Sequence, residues 1–290
     1  MTPDERRCVV TGLGVICAVG NNVEETWKSA LESVSGIHKT TSVDTVNCYA
    51  DLAAEVKCDT LDNLDAPEEK DRVSKLCIKA ANEALADAGL SNFGDDQRVS
   101  VVIGSCVGGV LSIEQYHQHG RDASEIAKMP IAAIASQVAE SCGAGGIVTN
   151  VANACAAGTI SIAVACDLIR AGKADVVIAG GADSFAAVPY SGFLSLHALD
   201  ENGCSPFNRC NGITLGEGAG IVIVESYEHA QKRSAKQYCE VLGSGVTSDA
   251  NHITAPREDG VCLMEAINRA VKNSGIDKSD IGYVNAHGTG

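Results

Sequence analysis

Aromatic residues are scarce in this sequence: one Trp, six Tyr and four Phe stand among 290 residues, against 30 glycines. This balance predicts a core closed by tight turns and close backbone packing rather than by stacked rings. Basic residues are also few, 22 against 37 acidic ones, and the net charge is −15. Because nucleic-acid binding rests on neutralising phosphates with positive charge, a general nucleic-acid binder is excluded.

The 13 cysteines lack the spacing of a metal site or of a disulfide framework. Their number is odd, no C-x-x-C pair occurs, and the opening MTPDERRCVV has no apolar signal-peptide stretch. No apolar run reaches the roughly 18 residues of a membrane span, and H-E-x-x-H, G-x-S-x-G and Walker patterns are absent. We therefore expect a cytoplasmic globular protein without a metal, whose reduced cysteines serve mainly as small apolar residues.

Strand-like and helix-like segments alternate along the chain, which is typical of an α/β fold. Strand patterns lie at 8–16, 99–104, 147–152, 174–180 and 219–225. Helix patterns lie at 23–34, 70–88, 130–141 and 157–171, and polar, loop-like inserts lie at 40–70 and 200–215. Gly89 is expected to end the second of these helices. Short strands joined through helices predict crossover connections and mixed, largely parallel sheets covered by helices on both faces.

A weak internal repeat indicates that the fold is duplicated. The segment 80–90 (AANEALADAGL) aligns without gaps on 266–276 (AINRAVKNSGI). Upstream, VTGLGV at 10–15 resembles VLGSGV at 241–246. Each helical copy is followed by a strand-like run, VSVVIGS in the first and IGYVNAHG in the second. Two copies of one α/β half-domain produce this pattern.

The repeat divides the chain into two unequal parts. Residues 1–236 are predicted to form the first half-domain, and 237–290 the beginning of the second. The first copy continues for about 120 residues beyond its second strand, whereas the second copy has no such continuation. The second half is therefore expected to be truncated, which would leave a sheet edge unpaired.

The most informative segment is IVTNVANACAAG at 147–158. In it Cys155 follows a strand and precedes a helix, and the small residues around it permit a sharp turn and leave room for a substrate. The helix N-terminus behind the thiol favours a negative charge there. The pattern predicts a strand–turn–helix nucleophile, and it leaves open the alternative that Cys155 is one more small buried residue.

A second candidate is His287, in YVNAHGTG at 283–290. It follows an apolar run, at the place where a parallel sheet carries its functional loops. Taken alone, it could equally be a histidine that caps a strand end. The glycine clusters fit no phosphate-binding fingerprint, so a nucleotide enzyme is not expected.

Eight short motifs, in order along the whole chain, resemble those of the β-ketoacyl-carrier-protein synthases, the thiolase-fold condensing enzymes of fatty-acid and polyketide assembly. They are VVTGLG at 9–14, GSCVGG at 104–109, NACAAG at 153–158, GGADS at 180–184, GFLSLHAL at 192–199, LGEGAG at 215–220, SDANHITAP at 248–256 and VNAHG at 284–288. The likeness is greatest to the elongating branch, similar to synthase II. That family's fold is internally duplicated, so the resemblance implies thiolase-like half-domains in αβαβα layers.

The resemblance also implies a role for each matching position. Cys155 matches the nucleophile that takes the acyl chain from a phosphopantetheine thiol, and its N–H would join an oxyanion hole. His287 matches one of two histidines that stabilise the enolate when malonyl-carrier protein loses CO₂. Thr289 matches a threonine that binds the pantetheine arm, while Val107 and Phe193 match apolar acyl-pocket positions. No cofactor is implied, because the phosphopantetheine arrives on the acyl carrier protein.

Three features depart from the family pattern. The family's C-terminal portion, with a second His, a Lys and a Gly-rich loop, is missing. In PFNRCNG at 206–212, Asn208 and Asn211 stand where many relatives are acidic. The negative net charge opposes docking of an acidic carrier, so a local basic patch is expected, unless the candidates merely form a solvated helix face. Those candidates are Lys70, Arg72 and Lys75.

The leading hypothesis is a ketosynthase, or most of one, that performs decarboxylative Claisen condensation as a homodimer or a ketosynthase-like heterodimer. One alternative is a non-catalytic partner subunit of chain-length-factor type, or an inactive fragment, although such partners usually lack the nucleophile. Another keeps the fold but exchanges acyl groups as thiolases do. With His287 as its one matching histidine, the chain alone is expected to be acylated but to condense poorly, unless a second polypeptide supplies the missing part.

Overall fold

Nine strands and eight α-helices make up the described part of a computed structural model, which covers residues 6–58, 61, 70–252 and 255–290. The strands are β1 (Cys8–Cys17), β2 (His38–Lys39), β3 (Leu52–Ala54), β4 (Val99–Gly104), β5 (Val148–Val151), β6 (Val176–Asp183), β7 (Leu215–Gly216), β8 (Gly218–Ser226) and β9 (Cys239–Glu240). The helices are α1 (Val23–Leu31), α2 (Arg72–Asp87), α3 (Val110–Gln118), α4 (Ala132–Cys142), α5 (Ala157–Arg170), α6 (Ala187–Ser195), α7 (Tyr227–Lys232) and α8 (Val261–Ser274). Short 3₁₀ turns lie at Ala123–Lys128, Ala154–Ala156 and Lys278–Asp280.

Nearly all predicted elements are present, with bounds shifted by a few residues. Gly89 follows α2 with a φ of +67°, as expected of a helix-ending glycine. The predicted loop-like inserts contain some regular structure, because β3 lies in the first and pairs with β7 at the end of the second. The predicted strand in IGYVNAHG is wrong: residues 281–290 form no strand, since no strand of the described chain lies alongside to share hydrogen bonds.

Six strands form one mixed sheet in the order β5-β4-β6-β8-β1-β9. β4 pairs in parallel with β5 and β6, as the crossover pattern predicts, whereas β8 pairs antiparallel with both β6 and β1. The sheet is therefore mixed but less parallel than predicted. The reason is the connection 184–217, which leaves β6 at Asp183 and returns opposite it at Gly218, so that β8 must run the other way. β2, β3 and β7 form a second, small sheet.

Helices cover both faces of the six-stranded sheet and enclose the core. α2 and α4 pack on one face, where Leu76, Ile103 and Ile223 belong to the larger buried cluster. α5 packs on the other face, around Cys166 and Ile169. This is the helix–sheet–helix layering that the sequence predicts. Among the helices of the described ranges, none is both long and apolar enough to span a bilayer.

The two copies of the sequence repeat make the same backbone contact. A Cβ atom placed on Gly14 would lie 1.9 Å from the carbonyl oxygen of Ala80 in α2. One placed on Gly245 would lie 2.0 Å from the carbonyl oxygen of Ala266 in α8. The sequence alignment pairs these same residues, Gly14 with Gly245 and Ala80 with Ala266. The repeat is therefore structural: in each copy a glycine lets an extended segment touch the backbone of a helix.

The helices of the two copies differ in burial. α2 is buried along the face that meets the sheet, whereas α8 has no buried residue and exposes Val261, Leu263 and Met264. β9 pairs with β1 through two residues. The contact of the repeat is thus present in both copies, but its helix is covered in the first copy alone. The division into half-domains at residues 236 and 237 stays a prediction.

Replacing Gly14 by alanine is expected to destabilise the fold by about 1–3 kcal/mol, because the added Cβ overlaps a backbone carbonyl and α2 must move off the sheet. Gly220→Ala is the matched control: Gly220 pairs with Val15 across the sheet, and a Cβ there meets nothing within 4 Å. Urea unfolding followed by circular dichroism measures both free energies of unfolding. Equal stability of the two variants would contradict the close packing of Gly14 on α2.

Candidate active site

The ends of several strands meet along one edge of the six-stranded sheet, the edge formed by the carboxyl ends of its parallel strands. β4, β5 and β6 end there, and β8 begins there opposite β6. In α/β sheets the carboxyl ends of parallel strands carry the functional loops. Cys155, the predicted nucleophile, lies just beyond β5 at this edge and is exposed to solvent.

The turn that carries Cys155 is tight and depends on small side chains. After β5 the chain enters the 3₁₀ turn Ala154–Ala156 and continues directly into α5. Ala154 has a φ of +46°, a left-handed backbone conformation that is strained for a residue with a side chain. Gly104 permits the close approach of the turn to β4, since a Cβ there would lie 2.5 Å from the backbone nitrogen of Gly158. The predicted strand–turn–helix geometry is therefore present, with the thiol exposed in the turn.

A cavity of about 390 Å³ opens beside Cys155. Its walls come from the ends of β1, β4, β6 and β8 and from the turn before α5, and they are mostly glycine and alanine. Cys17, Asp183 and Glu217 add the other reactive or charged side chains of the lining. A space of this size beside an exposed thiol can admit an extended, largely apolar substrate.

Asp183 ties the loop after β4 to the end of β6. Its carboxylate accepts hydrogen bonds from Ser105 Oγ at 2.8 Å, from the Cys106 N–H at 2.8 Å and from the Val107 N–H at 3.1 Å. Burial raises the pKa of Asp183, and these hydrogen bonds oppose the rise. Asp183, which itself lines the Cys155 cavity, therefore fixes the loop that carries Val107.

Replacing Asp183 by asparagine is expected to lower the pKa of the Cys106 thiol. Burial is the largest cause of the raised pKa of Cys106, and the negative charges of Asp183 and Cys155 raise it further. With one charge removed, iodoacetamide should alkylate Cys106 faster at neutral pH. The pH dependence of alkylation of the tryptic peptide 99–121 measures the change. Cys239 is the internal control, because burial alone raises its pKa; an unchanged Cys106 profile would contradict the assignment.

His287 and Thr289 lie in the irregular segment 281–290, and both are exposed. The segment runs beside the loop that precedes β7, where a Cβ on Gly290 would lie 1.9 Å from the carbonyl oxygen of Gly212. Neither His287 nor Thr289 is among the described residues that line the Cys155 cavity. The structure brings them to the neighbouring loop rather than to the thiol, and their roles stay predictions.

Val107 and Phe193, the predicted acyl-pocket residues, are half-buried on neighbouring elements. Val107 lies just before α3, and Phe193 lies in α6, where it packs on the buried cluster around Tyr190. α3 and α6 contact each other, and the Val188 N–H donates to Glu114 Oε1 at 2.6 Å. The two residues therefore lie on adjoining segments, with Val107 in the loop held by Asp183, and both are outside the described lining of the Cys155 cavity.

Arg72, one of the three predicted carrier-docking residues, is engaged inside the protein. Its guanidinium donates to both carboxylate oxygens of Glu217, at 2.9 and 2.6 Å, and to the Val56 carbonyl at 2.9 Å. Glu217 lines both the Cys155 cavity and a second cavity of about 410 Å³. The pair thus forms part of the wall between them. Lys70 and Lys75 are half-buried and have partners of their own, and docking by these three residues stays a prediction.

Sequence patterns missed Asp183 as a part of the site. It lies within the motif GGADS, but a single aspartate at the end of a strand has no spacing that marks it as a loop anchor. Its hydrogen-bond partners are 76 to 78 residues away in the chain. Only the pairing of β6 with β4 brings them together. An aspartate after a strand of the same sheet as the nucleophile was the one available signal.

An exposed cysteine in a strand–turn–helix, beside a substrate-sized cavity at the sheet edge, defines a class of α/β proteins equipped for thiol-nucleophile chemistry. The family models of the β-ketoacyl synthase N-terminal domain and C-terminal domain match residues 5–230 and 238–290. The chain therefore belongs to the β-ketoacyl synthase family, and the resemblance found in its motifs is confirmed.

Individual relatives agree with this family. The chain is 38% identical to 3-oxoacyl-(acyl-carrier-protein) synthase 2 of Staphylococcus aureus (strain COL), over 98% of this chain and 73% of that protein. The solved ishigamide ketosynthase/chain length factor matches with a TM-score of 0.89 at 30% identity, over 98% and 73% of the two chains. A type II PKS acyl-carrier protein in complex with its ketosynthase bound to the hexaketide matches with a TM-score of 0.87 at 28% identity, over 98% and 74%. The predicted thiolase-like α/β fold class is confirmed.

Proposed function

We propose that this chain is a β-ketoacyl-carrier-protein synthase, which takes an acyl chain onto Cys155 and condenses it with malonyl-carrier protein in fatty-acid or polyketide synthesis. The observation that carries the proposal is the exposed Cys155 thiol in the turn before α5, beside a cavity of about 390 Å³. Its similarity to a 3-oxoacyl-carrier-protein synthase and to two ketosynthases supports it.

The first step is the transfer of an acyl group between two sulfur atoms. The Cys155 sulfur attacks the carbonyl carbon of an acyl thioester, and the carbon–sulfur bond to the phosphopantetheine arm breaks. The departing pantetheine thiolate takes up the proton that Cys155 has lost. Because one thioester replaces another, the step is close to balanced in free energy and needs no redox cofactor.

The second step forms the new carbon–carbon bond. Malonyl-carrier protein loses CO₂, the enolate carbon attacks the acyl carbonyl on Cys155, and the cysteine sulfur leaves as a thiolate. His287 is assigned to stabilise the enolate, and Thr289 to bind the pantetheine arm. For these roles the segment 281–290 has to face the cavity, and it already lies against the loop that leads into the cavity wall through β7.

The acyl chain is assigned to the region of Val107 and Phe193, between α3 and α6. Both side chains are apolar, and the loop before α3 is held in place by three hydrogen bonds to Asp183. A fixed, apolar wall favours an alkyl chain over a polar substrate. No resident cofactor is needed, and the reduced thiol fits the cytoplasm.

The partners in this proposal are an acyl carrier protein and a second ketosynthase-like subunit, identical or different. β5 lies at an edge of the six-stranded sheet, where Ile147 and Val148 are 41% and 38% exposed. An exposed apolar edge strand pairs readily with another strand. We assign the subunit contact to this edge and the carrier to the surface around Lys70 and Lys75.

Acylation of the purified, reduced chain tests the proposal. On incubation with acyl-loaded carrier protein, the mass of the chain should rise by one acyl group while the carrier regains its free phosphopantetheine thiol. Malonyl-carrier protein should then give β-ketoacyl-carrier protein and CO₂. A chain that stays unacylated would overturn the proposal in favour of a non-catalytic partner, and transfer of the acyl group to acetyl-CoA in place of malonyl-carrier protein would overturn it in favour of thiolase-type exchange.

A further inference from the structure

Two exposed cysteines leave the six-stranded sheet at the same point. β4 and β5 are adjacent and parallel, with Gly104 opposite Val151. Cys106 lies two residues beyond the end of β4, and Cys155 lies four residues beyond the end of β5. Both are exposed. Paired strands lie about 4.8 Å apart, so the segments that carry Cys106 and Cys155 leave the sheet from neighbouring positions.

The turn after β5 approaches the end of β4 closely. It folds back over the end of β4, so that a Cβ on Gly104 would lie 2.3 Å from the carbonyl carbon of Ala157. Cys106 is two residues after Gly104, and Cys155 is two residues before Ala157. Each cysteine therefore lies two residues along the chain from the same tight backbone contact. The negative charge of Cys155 is also, after burial and Asp183, one of the causes that raise the pKa of Cys106.

The backbone at both cysteines is held by hydrogen bonds, so joining the two thiols would order little further backbone. The Cys106 N–H donates to both carboxylate oxygens of Asp183, at 2.8 and 3.0 Å. Cys155 is held in a 3₁₀ turn that runs straight into α5. Only side-chain rotation remains free at each position, and a disulfide needs Cβ atoms about 3.5–4.5 Å apart.

We propose that Cys106 and Cys155 form an oxidation site, in which a peroxide converts the two thiols into a disulfide that reversibly blocks acyl transfer. The proposal rests on the proposed function in one respect, the role of Cys155 as the acyl-accepting thiol. The site takes small hydroperoxides, which can enter where the exposed thiols face solvent. No other described residue is needed for the chemistry.

The oxidation balances in two steps. The Cys155 thiolate attacks the peroxide, a sulfur–oxygen bond forms as the oxygen–oxygen bond breaks, and hydroxide leaves; sulfur is oxidised to sulfenic acid and the peroxide is reduced. The Cys106 sulfur then attacks the Cys155 sulfur, a sulfur–sulfur bond forms, and water leaves with the Cys106 proton. A dithiol such as dithiothreitol restores both thiols by exchange. The disulfide keeps Cys155 from further, irreversible oxidation.

Peptide mapping of the full chain after treatment with hydrogen peroxide tests the proposal. Without reduction, the tryptic peptide 99–121, in which Cys106 is the only cysteine, should be joined to 129–170. Fragmentation should place the link on Cys155 and not on the buried cysteines of that peptide. Acyl acceptance should fall at least about tenfold as the linked peptide forms and return after dithiothreitol. The Cys210→Ser variant, which removes an exposed thiol elsewhere, should behave as the wild type does.

The Cys106→Ser variant separates this site from ordinary oxidation. It should accept acyl groups before treatment, form no linked peptide, and lose acyl acceptance to peroxide irreversibly through sulfinic acid at Cys155. Recovery of this variant by dithiothreitol, or a wild-type map with oxidised Cys155 but no link to Cys106, would overturn the proposal. Failure of the proposed function looks different, because the reduced wild-type chain would then stay unacylated whatever the peptide map shows.

Discussion

Replacing Cys155 by alanine is expected to abolish acyl transfer, with a fall of at least about 1,000-fold in the rate of acyl-enzyme formation. The sulfur of Cys155 is the atom that forms the thioester, and alanine offers no group in its place. Because Cys155 is exposed and donates no structural hydrogen bond in the described chain, the fold should be unaffected. Mass spectrometry after incubation with acyl-carrier protein measures the acylated fraction, and circular dichroism confirms the fold.

The control for this variant is Cys210→Ala, which removes an exposed cysteine in the loop between α6 and β7. It should retain full acylation. Cys17 is the other thiol of the cavity lining, and it contacts Thr26 Oγ1 at 3.6 Å. Undiminished acylation of the Cys155→Ala chain would move the nucleophile to another cysteine and contradict the assignment made from the strand–turn–helix geometry.

The second large effect is expected at Glu225, whose replacement by alanine should destabilise the fold by about 3–5 kcal/mol. Glu225 is fully buried, at 0% exposure. Its carboxylate accepts hydrogen bonds from Arg233 Nε at 2.9 Å, from His229 Nδ1 at 2.5 Å and from the Thr11 hydroxyl. Alanine would leave the Arg233 guanidinium partly buried without its carboxylate. Urea unfolding measures the loss, and Glu265→Ala on the exposed face of α8, where Glu265 pairs with Arg269, should change little.

The Glu225 carboxylate also makes the stability of the fold depend on pH in the acid range. Burial alone would raise the pKa of Glu225, but the hydrogen bonds from Arg233, Thr11 and His229 outweigh it, so the pKa lies below the ordinary value of 4.5. A lowered pKa means that the carboxylate stabilises the fold above pH 4.5 and that this contribution is lost as the pH falls through the folded-state pKa. Glu225→Gln should therefore flatten the loss of stability below pH 4.5. An unchanged acid profile would contradict the prediction.

The sequence predicts those parts of the fold that depend on local pattern. β4 is a mostly apolar, fully buried run and has the predicted bounds. The repeat is found from short segments, because in both copies glycines of an extended segment touch the backbone of a helix, which restricts the residues at those positions. Cys155 is found because strand, small residues and helix follow each other directly in the chain. In each case the information lies within a few neighbouring residues.

The features that the sequence did not predict depend on contacts between distant segments. The direction of β8 depends on whether the connection 184–217 returns to the end of the sheet where β6 finishes or to the opposite end. The ion pair that engages Arg72 inside the protein depends on Glu217, which is 145 residues away in the chain. Residues 281–290 have the apolar pattern of a strand, but a strand also needs a neighbour to share its hydrogen bonds. The sequence pattern shows which element a segment can form, and a neighbouring segment determines whether that element is present.

Locating the acyl group within the protein is the most direct test of Cys155 as the acyl-accepting nucleophile. The reduced chain is incubated with acyl-loaded carrier protein, digested with trypsin at mildly acid pH and fragmented in the mass spectrometer. We expect the acyl mass on Cys155 within the peptide 129–170, and we expect the peptide 99–121 with Cys106 to stay unmodified. Acyl mass on Cys106 or on any other cysteine, with Cys155 free, would contradict this assignment.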